Sequence, residues 1–295
     1  MDINQLRSLV TIARCGTVAR AAELLHLSQP AISAHIKLLE EELRARLFER
    51  HAKGMTLTAT GEAVFRHAKH ILHAVEAIKD EVNSLIGDAA GELVIGTVND
   101  PAFLRLPAFL RHMREAAPQV TISLVQTTSG SVLKNIADGV FDAGFVEGNL
   151  KGQAVTSLLL TNAEFVVGYP AAWHDQVEVG GLASALDLPW IGTSDGCSFY
   201  QLTNALFAAH GRNFTPAIRT DQEALLLDLV GQEAGLSLVR RDMLESYPKD
   251  DVRVLDGVVV DAGVHFVMSQ TAPKPGLLRV AQQAVRRAWQ IEPTR

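Results

Sequence analysis

Four polar side chains recur through one short segment of this chain: Gln29, Ser33, His35 and Lys37, in QPAISAHIKLLEEE. Each can donate a hydrogen bond, and Lys37 carries a charge. Set along one helix, such a group could read base edges in the DNA major groove. An ordinary solvated helix face has the same look, and periodicity alone does not separate the two. Ser28, Gln29 and Pro30 open the segment. Arg20 and Arg50 are candidates for phosphate, and His51 and Lys53 for a phosphate or the minor groove.

A second set of candidates lies in four loops: Asn99 and Asp100 in TVNDP, Thr128 and Ser129 in TTSG, Thr193, Ser194 and Asp195 in TSDGCS, and Asp221 in TDQ with Arg219 nearby. In open α/β sheets, ligands sit beyond the carboxyl ends of strands, where helix starts present free N–H groups. Hydroxyls at helix starts suit a carboxylate or phosphate. Asp100, Asp195 and Asp221 would instead suit an amine or hydroxyls, and each would serve equally well as a helix cap.

Other chemistry finds little support. The chain has no P-loop and no G-x-G-x-x-G, and no catalytic residue is predicted. His67, His70 and His73 are spaced so that neighbours could chelate, but no carboxylate or cysteine joins them at ligand spacing. Neither a metal nor a cofactor is therefore expected. Cys15 and Cys197 fall in different predicted domains, form no disulfide framework, and read as small buried hydrophobes.

These residues need elements to hold them. Residues 2–14 read as an opening helix with Ile3, Leu6, Leu9, Val10 and Ala13 on one face; Gly16 ends it and Thr17 can cap the next. Val18, Ala21, Ala22 and Leu25 then mark a second helix whose alanines allow a close crossing. His26-Leu27 make a turn with Leu27 in its angle, and Ser28 caps a third helix that buries Ile32, Ile36, Leu39 and Leu43. Residues 49–58 read as a hairpin, or wing, with its tip near Lys53-Gly54. From Glu62 to Ile86 there is no Gly or Pro. Val64, Ala68, Ile71, Val75, Ile78, Val82 and Leu85 make a heptad seam there that one helix cannot bury alone, so a dimer through 64–85 is predicted. Phe65, Leu72 and Ile86 form a second stripe, packed on the DNA-binding domain.

The stretch ARAAELLHLSQPAIS, followed by LEEEL, RLFER, LTATGE and a long helix, resembles the N-terminus of LysR-type transcriptional regulators from Leu6 to about Ile86. The resemblance implies a winged helix-turn-helix over 1–58, a dimerisation helix over 59–88, and a two-lobed effector-binding domain of the periplasmic-binding-protein type over 89–295. Lobe I would take about 91–161 and 266–295, and lobe II about 162–265. It also implies a dimer or tetramer on an interrupted palindromic operator, a small-molecule effector between the lobes that alters DNA bending and transcription, and effectors that are often organic acids. RNA polymerase is a further candidate partner. Ala34 departs from the basic or long polar residue usual there, which bears on operator sequence. Cys197 is displaced by one position from the reactive cysteine of peroxide-sensing members and has no resolving partner, so that mechanism is not expected.

Charge and composition agree. Residues 1–58 hold eight basic and six acidic side chains, a net of +2, which leaves −8 for the rest of a chain whose total is −6. A mildly basic head on an acidic body suits a protein that touches DNA at one end. No apolar run could span a bilayer and MDINQLRSLV has no signal-peptide core, so a cytoplasmic location and no membrane partner are expected. After a hinge at 87–91, strand-like and helix-like runs alternate. This predicts an α/β domain of two mainly parallel sheets, with the chain crossing between lobes near 161–163 and 263–266.

Overall fold

The computed structural model of this 295-residue chain describes residues 1–51, 54–85, 90–98, 100–150, 152–153, 155–245, 247, 250–269 and 274–292, with the side chains of 50, 73, 76, 79–81, 83–85 and 245 left aside. Lys53 at the expected wing tip, Ile86 of the expected second stripe, residues 87–89 of the expected hinge and Asn99 lie outside the described residues. The chain forms two compact units, Met1–Ala89 with Thr271–Leu277, and Ala90–Gln270 with Leu278–Arg295.

The first unit holds α1 (Ile3–Cys15), α2 (Val18–Leu25), α3 (Gln29–Leu43), β1 (Phe48–His51), β2 (Gly54–Leu57) and α4 (Ala59–Leu85). Its helices start on side-chain caps. Asp2 accepts from the N–H groups of Asn4 and Gln5, Thr17 from Arg20, and Ser28 from Ala31. Such caps satisfy donors that the first helical turn leaves without partners. Left-handed residues end the helices: Gly16, His26 and Arg44 at φ of 77°, 54° and 51°.

Leu6, Leu9, Ile12, Ala21, Ile32, Leu39 and Leu47 form the centre of one core. Truncating a buried leucine in such a core costs about 2–5 kcal/mol. The wing is tied down at two points. Glu40 Oε1 accepts from the Leu47 N–H at 2.7 Å, joining α3 to the chain just before β1. The Met55 N–H donates to the Gly16 carbonyl at 2.8 Å. A Cβ on Gly54, whose φ is 137°, would lie 2.4 Å from that same oxygen, so glycine is required there.

Four expectations are corrected. Leu27 does not plug the turn, and Leu43 does not join the core; both are exposed, as is Ile3. The seam on α4 is also shorter than expected. Ala68 is buried in the head's own core, and Val64, Phe65 and Leu72 pack against it. Ile71, Ile78 and Val82 face outward, with Ile78 67% exposed and Val82 53% exposed.

The second unit begins with β3 (Ala90–Thr97), α5 (Leu106–Ala116), β4 (Gln119–Gln126), α6 (Ser129–Ala137), β5 (Ala143–Glu147) and β6 (Val155–Pro170). There follow α7 (His174–Ala185), β7 (Ile191–Gly192), α8 (Ser198–Ala209), β8 (Ile218–Arg219), α9 (Glu223–Gly231), β9 (Ser237–Arg240), α10 (Arg241–Glu245), β10 (Val252–Ser269) and α11 (Pro275–Trp289). One six-stranded sheet runs β4-β3-β5-β10-β6-β9, and β7-β8 form a small parallel pair.

Two separate, mainly parallel sheets were expected; the main sheet is instead a mixed one of six strands that serves both lobes, beside the small β7-β8 pair. The cause is β10, which starts at Val252 rather than near 264 and pairs antiparallel with β5 and along the length of β6. Ala163 opposite Ala262 and Thr161 opposite Val264 mark the middle of that ribbon, where it passes from one lobe to the other. Phe109, Phe145 and Phe266 stack in the first lobe. Trp190, Phe207 and Phe214 do so in the second. Helix α7 escaped the sequence reading because Gly180-Gly181 break its period, and Gly181 sits at φ 56° inside it.

Because Ile71 and Ile78 are exposed on the protomer, Ile71→Glu with Ile78→Glu should leave thermal stability within about 1 kcal/mol of the parent. The same double change should give monomers by light scattering; an unchanged mass would remove this helix from the dimer interface.

Candidate nucleic-acid interface and ligand cleft

Helix α3 has one polar, open face. Gln29, Pro30, Ala34 and Lys37 are exposed and Ser33 is half-buried between them, while Ile32, Ile36 and Leu39 point into the core. Ser28 caps the helix at the exposed end of this row. His35 is not in the row. At about 100° per residue it shares the side of Ile32 and Leu39, and its Nδ1 lies 2.8 Å from Oγ of buried Ser8 on α1. It is therefore corrected from a base-reading residue to a helix-packing one. Lys37 Nζ is 3.6 Å from Glu41, a solvated pair of little energetic weight. Arg20 pairs with Glu23 at 2.7 Å on the surface. His51 Nε2 bonds across the wing to Thr56 Oγ1 at 2.8 Å. The Arg50 side chain and Lys53 lie outside the described residues.

In the second unit, the four expected loops do not converge equally. Thr128 caps α6, and buried Ser129 accepts the Glu147 N–H at 3.0 Å. Asp221 Oδ1 accepts the Ser194 N–H at 2.8 Å. A cavity of about 330 Å³ is lined by Thr128, Ser129, Glu147, Cys197, Ser198, Asp221 and Glu223, among others. A more open cavity of about 660 Å³ shares Glu223 with it and reaches Asp100 and Asp242. Thr193, Ser194, Asp195 and Arg219 line neither. Asp195 and Arg219 instead pair with each other at 3.1 Å on the surface. The lobes meet at the mouth of the smaller cavity, where the Gly130 N–H donates to the Gly196 carbonyl at 2.9 Å. A Cβ on Gly130 would stand 2.7 Å from that oxygen, closer than real Cβ atoms come.

Behind both cavities lies Arg240, at the end of β9 and 1% exposed, whose acidic partners line them. Its guanidinium meets Asp242 at 2.6 Å, Asp100 at 2.6 Å, Glu147 at 2.9 Å and Glu223 at 3.8 Å, and stacks 3.6 Å from the centroid of the Phe103 ring. Asp100 also accepts the Phe103 N–H at 2.8 Å. Burial works against the Arg240 charge, but the surrounding carboxylates outweigh it and hold the guanidinium protonated above its ordinary range. Burial pushes Glu147 up, against Arg240. Burial, then the Glu147 charge, pushes Glu223 from 4.5 up to about 8. Sequence reading missed Arg240, Glu147 and Glu223. Their signal was a charge closing an apolar strand, as in DAGFVEG and GLSLVRR, or opening an apolar helix.

Burial also pushes the Cys197 thiol up, which keeps it protonated and a poor nucleophile. Among the described residues, no group of three His, Cys, Asp or Glu could hold a metal ion, and no helix is long and apolar enough to cross a membrane.

Comparison with known proteins gives two family matches. The model for bacterial regulatory helix-turn-helix proteins of the lysR family matches residues 3–62, and that for the LysR substrate binding domain matches 87–290. The transcriptional regulator BsdA of Bacillus subtilis is 30% identical over 93% of this chain and 97% of its own length. The regulator IlvR of Caulobacter vibrioides is 29% identical over 96% and 98%. The crystal structure of full-length CbnR complexed with its target DNA shares the fold, with a TM-score of 0.60 at 23% identity over 98% of this chain and 100% of that one.

Two outcomes test these assignments. Lys37→Ala should weaken DNA binding and lower the salt slope by about 1 per half-site with no loss of thermal stability, whereas His35→Ala should cost about 1 kcal/mol of stability. Titration in a salt series alongside thermal melts separates them. For Glu223, the raised folded value means that its stabilising contribution is complete below about pH 4.5 and is lost as pH rises through about 8. Glu223→Gln should therefore match the parent melting temperature near the lower value and exceed it by several degrees above the higher one; parallel curves would mean Glu223 stays ionised. Glu147, Asp100, Asp242 and Arg240 are the charged groups facing it.

Proposed function

Because this chain belongs to the LysR family of bacterial regulatory helix-turn-helix proteins, we propose a specific division of labour between its two units. The protein is a ligand-responsive DNA-binding transcriptional regulator, and it is not an enzyme. Helix α3 enters the major groove, where Gln29, Ser33 and Lys37 meet base edges and Ala34 can touch a thymine methyl. The wing and Arg20 hold neighbouring phosphates. The observation that carries this is the exposed polar row on α3, set on a core that leaves that side uncovered.

The exposed stripe from Ile71 to Val82 joins two protomers, so that two α3 helices read an interrupted palindrome; dimers pair again into tetramers. In this reading the protein works in the cytoplasm and needs no cofactor. A small effector, with its carboxylate at the helix starts, occupies the cavity between the lobes and changes how they close. The altered closure shifts the DNA-binding heads, the bend in the DNA and the contact offered to RNA polymerase. Arg240 and the Gly130–Gly196 bond support this, since both span the lobes that such a ligand would draw together.

Footprinting of the full chain on its own upstream DNA, at fixed salt and with a panel of metabolites, tests the whole reading. A long protected region whose hypersensitive sites move with one compound is expected. Protection that no compound alters would confine the second unit to assembly, and no protection at any salt would overturn the DNA-binding assignment of α3.

A further inference from the structure

The cleft presents two opposite chemistries within one cavity. The starts of α6 and α8 both line it, through Thr128 and Ser129 and through Cys197 and Ser198. The helices run 9 and 12 residues, and the Gly130–Gly196 bond brings their starts together. Helix α8 starts without a side-chain cap, so its first-turn N–H groups, together with two converging helix dipoles, favour an anion. The same cavity is lined by Glu147, Asp221 and Glu223, which favour a cation.

The acidic side has more than number behind it. Glu147 is 1% exposed in its side chain, and its Oε2 is buried with no hydrogen-bond donor among the described residues, while Oε1 takes Arg240. A buried carboxylate oxygen without a donor is costly. Arg240 also faces Asp100, Asp242 and Glu223, so one guanidinium is shared among four acids. Burial first, and then the neighbouring Glu147 charge, raise Glu223 to about 8.

We propose that the cleft binds a small free amino acid as a zwitterion, its carboxylate at the starts of α6 and α8 and its ammonium between Glu147 and Glu223. This rests on the reading of the cavity as the effector site and adds the chemical class. An ammonium group brings three donors, enough for Glu147 Oε2 and for a re-ionised Glu223. A plain carboxylate would use the helix starts but add negative charge beside unsatisfied acids. A plain amine would leave the uncapped start of α8 without an acceptor. The cavity's volume of about 330 Å³ and its apolar lining from Val98 and Phe199 fit a short molecule. Glu147 ends a strand of one lobe and Glu223 starts a helix of the other, so one ammonium held by both would draw the lobes together.

The test uses the purified full-length chain and calorimetric titration. The probes are the common L-α-amino acids with glycine, β-alanine and γ-aminobutyrate, each against the matched acid without the amine and the matched amine without the acid. One amino acid should bind about 10- to 100-fold tighter than either half-molecule, the range for a charge-assisted hydrogen bond. Glu223→Gln, an isostere of the protonated side chain, should keep its fold by melting temperature and lose about 10-fold for that amino acid while binding the matched acid as before. Equal binding of the acid, or unchanged binding in Glu223→Gln, would overturn the zwitterion while leaving the cavity as the effector site. If no probe binds but another compound shifts the operator footprint, the class is wrong and the effector reading stands. If no probe binds and no compound shifts the footprint, both fall.

Discussion

Among the described residues, Arg240 is the only lysine or arginine that is buried. A charge in that position survives only if its surroundings satisfy it, and here Asp242, Asp100, Glu147 and Glu223 do so. These partners come from both lobes. The interaction therefore joins the second unit across its cleft, with Phe103 stacked on the guanidinium as a lid of low polarity. Removing one partner of such a buried group costs about 3–5 kcal/mol, so the cluster constrains where β5, β9 and α9 can sit. It also sets the sign of the cavity, because the acids outnumber the cation they surround.

The ribbon of β6 and β10 is the complement of that constraint. Two long antiparallel strands carry the chain through both lobes with continuous pairing, apart from bulges near Val254 and Val264. Bulges bend a strand without ending its ladder. Continuous pairing resists shear and tolerates bending, which suits lobes that close on a ligand through side-chain and helix-start contacts. The DNA-binding unit is organised on the opposite principle. Caps, left-handed helix ends and the two wing ties through Glu40 and Gly16 fix it locally, so that α3 presents a rigid row rather than an adaptable one.

Much of the head was legible because its determinants are local. Helical period, Thr17 and Ser28 as caps, and Gly16 at φ 77° act over a few residues. The errors there concern direction. His35 has the chemistry of a base reader, but its angle around the helix sends it to Ser8. Leu43 continues the apolar spacing past the point where the core ends, and Ala68 looks like a dimer residue although its own head covers it. Spacing gives a face; only the neighbouring helices decide what that face meets.

The sequence by itself determined the helix-turn-helix, its caps, the long helix after it and an α/β body with ligand loops after strands, since each follows from short-range periodicity and turn chemistry. Tertiary structure alone decided that β10 would run antiparallel through both lobes and unite two expected sheets. It also decided which loop residues reach the cavity, passing over Asp195 and Arg219 because they satisfy each other at the surface. The cluster that governs the cleft joins Arg240 to Glu147 and Asp100 across 93 and 140 residues of chain. No local pattern encodes such a meeting. Burial converts these ordinary surface residue types into a coupled charge site, and burial exists only once the lobes have folded against each other.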